Sequence, residues 1–347
     1  MTLAVPPGDS ARLVAALAAG QSVPGHDVRA FVPLGAGDLA ERPITVDQTN
    51  LSVVVGERAV VKWMRTPGPD RAPRLLAHLA AAGFTRMPAP HAAVFRDGAL
   101  VALVTAYLPE AEDGWDWCVD AVLAELDGGP PAAFGAELGE LAAELHAALA
   151  TPSAVSPEPV STAVPGDGDW AAVLAEAAAV AGEDEDGRWL RSIVPALASD
   201  LASPARGHAG PAVHLHGDLH VGQVLRWRCG YAVTDFDGHP TAEHRAEPVA
   251  RDVAQLRTSV LHVAEIANRR TGGRHRRTLL AWGRATVGEL LAAYRAGLAA
   301  RGLAHLLDEE LLRPFEVEQE CRELVYAARF LPRWRYAPMG VLRSWYE

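Results

Sequence analysis

The stretch His214-Leu-His-Gly-Asp-Leu-His-Val-Gly-Gln-Val-Leu225, followed after five intervening residues by Tyr231-Ala-Val-Thr-Asp-Phe-Asp-Gly238, decides how the rest of the chain is read. It sets an acid, Asp218, five residues ahead of an amide, Gln223. A second acid, Asp235, follows a pair of short apolar segments, 224–227 and 231–234. Moving a phosphoryl group onto a hydroxyl needs such a set. One carboxylate orients the acceptor hydroxyl and takes its proton. A carboxylate and an amide oxygen hold Mg²⁺ against the phosphates. The plain alternative is a run of polar turn residues between core strands. A sharper rival is a metallohydrolase, because His214, His216 and His220 alternate with Asp218. Its last histidine falls one position late for a His-x-His-x-Asp-His site, and no further ligands are evident downstream.

Working upstream, Asp47-Gln-Thr-Asn-Leu-Ser-Val-Val-Val-Gly56 leads into Ala59-Val-Val-Lys62. Kinases of the protein-kinase type cover the ATP phosphates with a loop between their first two strands, and reach them with a lysine from the third. Here the loop is polar rather than glycine-rich. Its backbone N–H groups and the side chains of Thr49, Asn50 and Ser52 are the candidates for capping phosphate. Of the 32 basic residues only Lys62 is a lysine. A chance survivor is the bland account. A point-charge ammonium kept inside an apolar strand, where arginine offers only a wide planar fork, is the functional one. With one lysine there is no Gly-x-x-x-x-Gly-Lys-Ser/Thr, which excludes P-loop kinases. Gly35-Ala-Gly-Asp38 mimics a ribokinase-type tetrapeptide near the wrong end of the chain, and no βαβ unit supports it as a dinucleotide loop.

The pattern predicts an α+β fold of the bilobal, protein-kinase-like kind. Residues 1–108 form an N-terminal cap and a small β-rich, nucleotide-binding lobe. Residues 109–347 form a larger helical lobe with the catalytic loop and substrate site. In the first, a helix over 10–20 with Ser10 as its cap precedes strands at 31–34, 44–46, 51–55 and 59–64, a helix at 69–82, and a hairpin of 92–95 with 99–107. In the second, helices are expected at 134–150, 170–181, 247–269, 277–300 and 308–331, with a Pro/Ser-rich loop over 151–168.

Composition narrows the function classes. At 347 residues and 49% hydrophobic, the chain can bury a large core without staples. A net charge of −11 argues against nucleic-acid partners. Three scattered cysteines build neither a disulfide framework nor a metal site. The opening MTLAVPPGDS lacks a basic and apolar leader, and no apolar run reaches the roughly 18–20 residues that span a bilayer. A cytoplasmic protein without membrane partners is expected, most simply a monomer.

With these residues in view a resemblance can be stated. His216-Gly-Asp-Leu-His-Val-Gly-Gln-Val-Leu225, Asp235-Phe-Asp-Gly238, Asp47-Gln-Thr-Asn-Leu-Ser-Val53 and Asp113-Gly-Trp115 are similar to the maltokinases, within the aminoglycoside phosphotransferase superfamily. With Gln319-Glu-Cys-Arg-Glu-Leu-Val-Tyr-Ala-Ala-Arg-Phe-Leu-Pro-Arg-Trp334 added, the chain resembles the actinobacterial glucosamine kinases from about residue 40 onward. The resemblance implies Asp218 as catalytic base, Gln223 and Asp235 as Mg²⁺ ligands, and Lys62 on the ATP phosphates. It also implies adenine held by backbone around Ala106–Leu108. Two departures stand out: the 69–82 segment has no acid after Asp70, so the usual glutamate partner of the lysine is missing, and Gln223 stands where most of the superfamily has Asn.

An amino-sugar ammonium calls for carboxylates, with hydroxyls bridged by polar groups. Asp237, Gln319, Glu320 and Glu323 are the candidates, with Asp218 and His220 facing the acceptor, and Trp334 and Tyr326 as a wall for the ring. Glu320 and Glu323 share one helical face, and a solvated acidic face is the competing account. The expectation is ATP- and Mg²⁺-dependent phosphorylation of D-glucosamine to glucosamine 6-phosphate. Maltose, an aminoglycoside, or a non-catalytic nucleotide-binding pseudokinase are the alternatives.

Overall fold

The structure is a computed structural model that describes residues 5–44, 50–165, 170–202, 207–238 and 245–347. The chain forms two compact units, Met1–Glu112 with Pro152–Pro157 and Leu225–Pro240, and Asp113–Thr151 with Glu158–Val224 and Thr241–Glu347.

The first unit opens with α1 (Asp9–Ala18), β1 (Asp27–Ala30), β2 (Glu41–Pro43), β3 (Leu51–Val55) and β4 (Ala59–Gly68). It continues through α2 (Arg71–Ala81), β5 (Pro90–Arg96) and β6 (Ala99–Ala106). The six strands make one antiparallel sheet in the order β1-β5-β6-β4-β3-β2. Alternation sorts their side chains. Val53, Val55, Val61, Val94 and Val104 meet Leu13 and Val14 of α1 on one face. Ser52 and Lys62 are cross-strand partners and share the opposite face. Both expected hairpin turns form, with positive φ at Gly56 and Glu57 and at Asp97 and Gly98, the pair of left-handed residues that matches strand twist.

Several local expectations are corrected. Ser10 lies inside α1, where its hydroxyl accepts from the Trp63 indole at 3.0 Å. The helix is capped instead by Glu41 of β2, which accepts from Gly8 N–H at 2.8 Å and Ala11 N–H at 2.7 Å. The strand expected at 31–34 runs over Asp27–Ala30. Of the one expected at 44–46, Ile44 lies beyond the end of β2 and the rest falls outside the described residues.

The second unit comprises α3 (Gly114–Leu126), α4 (Gly135–Leu149), β7 (Ser161–Ala163), α5 (Trp170–Ala179), α6 (Glu185–Leu201) and β8 (Gly210–Ala212). The long helices α7 (Ala250–Arg270), α8 (Arg276–Ala300) and α9 (Leu312–Phe330), then α10 (Tyr336–Tyr346), complete it. Helix α7 is central, packing on α3, α8, α9 and α10. The α4–α8 crossing is close because Gly139 has no side chain: a Cβ there would lie 2.1 Å from the Leu290 carbonyl. Sequence periodicity missed α3, α6 and α10. Helix α3 is capped by Asp113 but has no clear polar stripe, α6 carries Pro195 in its interior, and α10 carries Pro338 in its first turn.

The strands β9 (Val224–Trp227) and β10 (Gly230–Val233) pair as a separate ribbon. From Leu225 this ribbon belongs to the first unit, where Val233 N–H donates to the Arg86 carbonyl at 2.9 Å. The units therefore do not follow a single cut at residue 108, because a later hairpin bonds back to the earlier sheet unit.

Candidate active site

In the first unit the lone lysine is the focus. Lys62 Nζ lies 2.6 Å from Asp235 Oδ1 and 2.5 Å from Asp237 Oδ2, with its side chain 20% exposed. Burial acts against the ammonium, but the charges of Asp235 and then Asp237 outweigh it and hold the lysine above its ordinary pKa. Asp235 adopts φ 58°, rare for a residue with a side chain, so the turn after β10 is held under local strain. Asp237, expected beside the amino sugar, here faces Lys62. Ser52 lies across from Lys62, whereas Asn50 Oδ1 accepts from Arg65 N–H at 3.2 Å. Thr49 lies outside the described residues. The Ala106 N–H donates to the Ala89 carbonyl at 2.8 Å, so an adenine contact there falls to its carbonyl; Leu108 is buried.

In the second unit α7 holds the loop that carries Asp218. Asp252, fully buried in its first turn, accepts from His216 N–H at 3.0 Å and Gly217 N–H at 2.9 Å. Behind it His146 Nε2 lies 3.3 Å from Asp252, and His146 Nδ1 lies 2.7 Å from the Tyr294 hydroxyl. Burial disfavours the Asp252 charge, yet the hydrogen bond and charge of His146 prevail and keep it below the usual carboxylate range. One turn on, Gln255 Nε2 donates to Asp218 Oδ1 at 2.6 Å, and Ser259 Oγ accepts from Val221 N–H at 3.0 Å. Sequence reading missed all three. Their signal was the spacing of Asp252, Gln255, Ser259 and His262, which puts these four on one face of the helix.

The Asp113-Gly114-Trp115 motif also finds its reason. Asp113 caps α3 by accepting from Trp115 N–H at 2.8 Å. A Cβ at Gly114 would lie 1.6 Å from the Val221 carbonyl, so only glycine lets α3 approach the loop. Trp115 then stacks on His220 with ring centroids 5.6 Å apart, and meets Trp334 edge-on at 5.5 Å. Trp334 Nε1 donates to Glu323 Oε2 at 2.7 Å, and Gln319 Nε2 donates to Glu323 Oε1 at 3.0 Å. Asp218, His220, Trp115, Trp334 and Glu323 thus form one continuous acid and aromatic wall. Glu320 lies behind it with no exposed surface, 2.9 Å from His262 Nε2, while His262 meets Trp334 at 5.4 Å. Burial raises Glu320 to about 7 against the pull of His262. Tyr326 stands apart: it is 45% exposed and its ring meets Phe330.

Asp235 and Gln223 offer hard oxygens, the donor type Mg²⁺ prefers. Among the described residues no three of His, Cys, Asp or Glu gather as a metal cage. The rival metallohydrolase site, which needs such a cage, is not assembled among the described residues.

Residues 41–238 match the phosphotransferase enzyme family (APH). The chain is 39% identical to a glucosamine kinase of Streptacidiphilus jiangxiensis, over 96% of this chain and 80% of the relative. It is 40% identical to a glucosamine kinase of Mycolicibacterium smegmatis, over 87% of this chain and 78% of the relative. The structure of a glucosamine kinase in complex with glucosamine, ADP and inorganic phosphate matches with a TM-score of 0.83 at 36% identity, covering 99% of this chain and 84% of that one. Two motif-bearing units, a lysine held by paired aspartates and an acid loop seated on α7 make the same case as these matches: the chain belongs to the phosphotransferase enzyme family, alongside the glucosamine kinases.

Proposed function

We propose that this protein phosphorylates D-glucosamine with ATP, transferring the γ-phosphoryl group to the 6-hydroxyl and releasing ADP. The observation that carries the proposal is the chain-long similarity to a glucosamine kinase solved with glucosamine and ADP. The residues fit the chemistry. Gln255 engages Oδ1 of Asp218, which leaves Oδ2 to orient the sugar hydroxyl and accept its proton as the oxygen attacks phosphorus. The bond between γ-phosphorus and the ADP oxygen breaks in the same step. Lys62 neutralises phosphate charge, and the carbonyl of Ala106 and the backbone at Leu108 take the adenine. Gln223 and Asp235 would hold Mg²⁺, which when bound neutralises charge building on the phosphates. Trp115 and Trp334 flank the sugar ring, with Glu323 drawing its ammonium; Glu320 stands behind the wall, bonded to His262.

The test is a panel of D-glucosamine, glucose, maltose and an aminoglycoside with ATP and Mg²⁺, read by ADP release and by locating the phosphate in the product. Glucosamine is expected to give the highest kcat/KM and a 6-phosphate. Preference for maltose, or ATP binding with no turnover on any sugar, would overturn the proposal.

A further inference from the structure

Helix α2 reads Arg71-Ala-Pro-Arg-Leu-Leu-Ala-His-Leu-Ala-Ala81, with no acidic residue. The acid just ahead of it, Asp70, is turned to Arg29 of β1 at 2.9 Å. In kinases of this type a glutamate from that helix aims the lysine at the phosphates. Here the partner comes from elsewhere. Lys62 meets Asp235 and Asp237 at nearly equal distances, but the two carboxylates are not equivalent. A carboxylate that serves a divalent cation has less charge left for an ammonium. Asp235 is the acid assigned to Mg²⁺. Asp237 makes its only ion pair among the described residues with Lys62.

The turn that carries Asp237 is fastened from α2. The Arg71 guanidinium donates to the Phe236 carbonyl. It lies so close to Gly238 that a Cβ there would stand 2.7 Å from Arg71 Cζ, and φ at Gly238 is +75°. Helix and turn have exchanged charges: the helix supplies the cation and the turn supplies the anion.

We propose that Asp237 is the positioning carboxylate of Lys62, standing in for the absent helix glutamate, and that Arg71 holds its turn in place. This deepens the ATP-dependent reading above and rests on it. Once Mg²⁺ and nucleotide draw on Asp235, Asp237 keeps the ammonium aimed at phosphate.

The experiment pairs calorimetric titration of ADP without Mg²⁺ with steady-state kinetics on glucosamine. Asp237→Asn is expected to weaken metal-free ADP binding and to lower kcat, each by on the order of tenfold or more, the usual cost of losing a hydrogen bond to a charged group. The glucosamine KM should stay within about twofold, since the sugar side is untouched. Asp237→Glu should recover part of both losses, and it serves as the readout if the Asn variant does not fold. Arg71→Ala should show the same split, more weakly. Unchanged ADP affinity and kcat in Asp237→Asn would overturn the inference. So would a raised glucosamine KM with ADP affinity intact, which would assign Asp237 to the sugar ammonium. Wild-type protein that binds ADP in an Asp237-dependent way but phosphorylates no amino sugar would sink the proposed function and leave this inference standing.

Discussion

Asp218 has two carboxylate oxygens, and the structure gives them different neighbours. Oδ1 accepts from Gln255, and Oδ2 faces His220 Nε2 at 3.9 Å. A base held by one oxygen presents the other at a fixed angle, which is what proton transfer from a bound hydroxyl rewards. Replacing Asp218 by Asn should cost about 10³-fold in kcat while leaving ADP affinity within about twofold, as calorimetry beside kinetics will show. Replacing Gln255 by Ala should lower kcat about tenfold with little change in the glucosamine KM. A rise in KM alone would place Gln255 in sugar binding instead. At this scale the sequence was informative where chemistry sits in a short motif. Asp218, Gln223, Asp235 and Lys62 could all be singled out as candidates from the motifs that carry them. Gln255 and Asp252 were not, because they touch the loop only after α7 has folded against it.

Helices α7 and α9 meet through charge as well as through apolar contact. Glu320 and His262 form a pair closed off from solvent, with Glu323 and Glu316 facing Glu320 and with Glu323 and Glu265 facing His262. Burial raises Glu320 from 4.5 to about 7. Burial would lower His262, but Glu320 raises it above its ordinary 6.5. The native pair keeps a proton to higher pH than the same groups do in the unfolded chain. The stability each provides is present at low pH and is lost as pH rises, from about 4.5 through 7 for Glu320 and through the raised native pKa for His262. Wild-type stability should therefore fall relative to Glu320→Gln between pH 5 and 8, by on the order of 1–3 kcal/mol in denaturant titrations. A parallel pair of pH profiles would refute this. Packing gives a second check. Gly139→Ala should destabilise by about 1–3 kcal/mol, because the new methyl group meets the Leu290 backbone rather than a movable side chain.

For the whole molecule, composition marked where long helices begin, and the β3–β4 and β5–β6 hairpins followed from alternation and their turn residues, whereas the expected positions of β1 and β2 did not hold. The discontinuous first unit did not follow, because a shift in composition shows where helices start and is blind to a hairpin that bonds back to an earlier sheet. Caps behaved alike: Glu41 serves α1 from thirty residues away, a distance no local signal spans.

A chain that keeps a single ammonium-bearing side chain carries its own chemical reporter. Apart from the terminal amine, a reagent that forms stable amides has one lysine to react with, and mass spectrometry reads that amide as one added mass once labile esters on cysteine and hydroxyl groups are removed. Acylation needs the neutral amine, so the aspartates that keep Lys62 charged should slow its modification, and bound nucleotide should shield it further. The fraction acylated over time then measures, in untagged protein, how often Lys62 is released from its two aspartates.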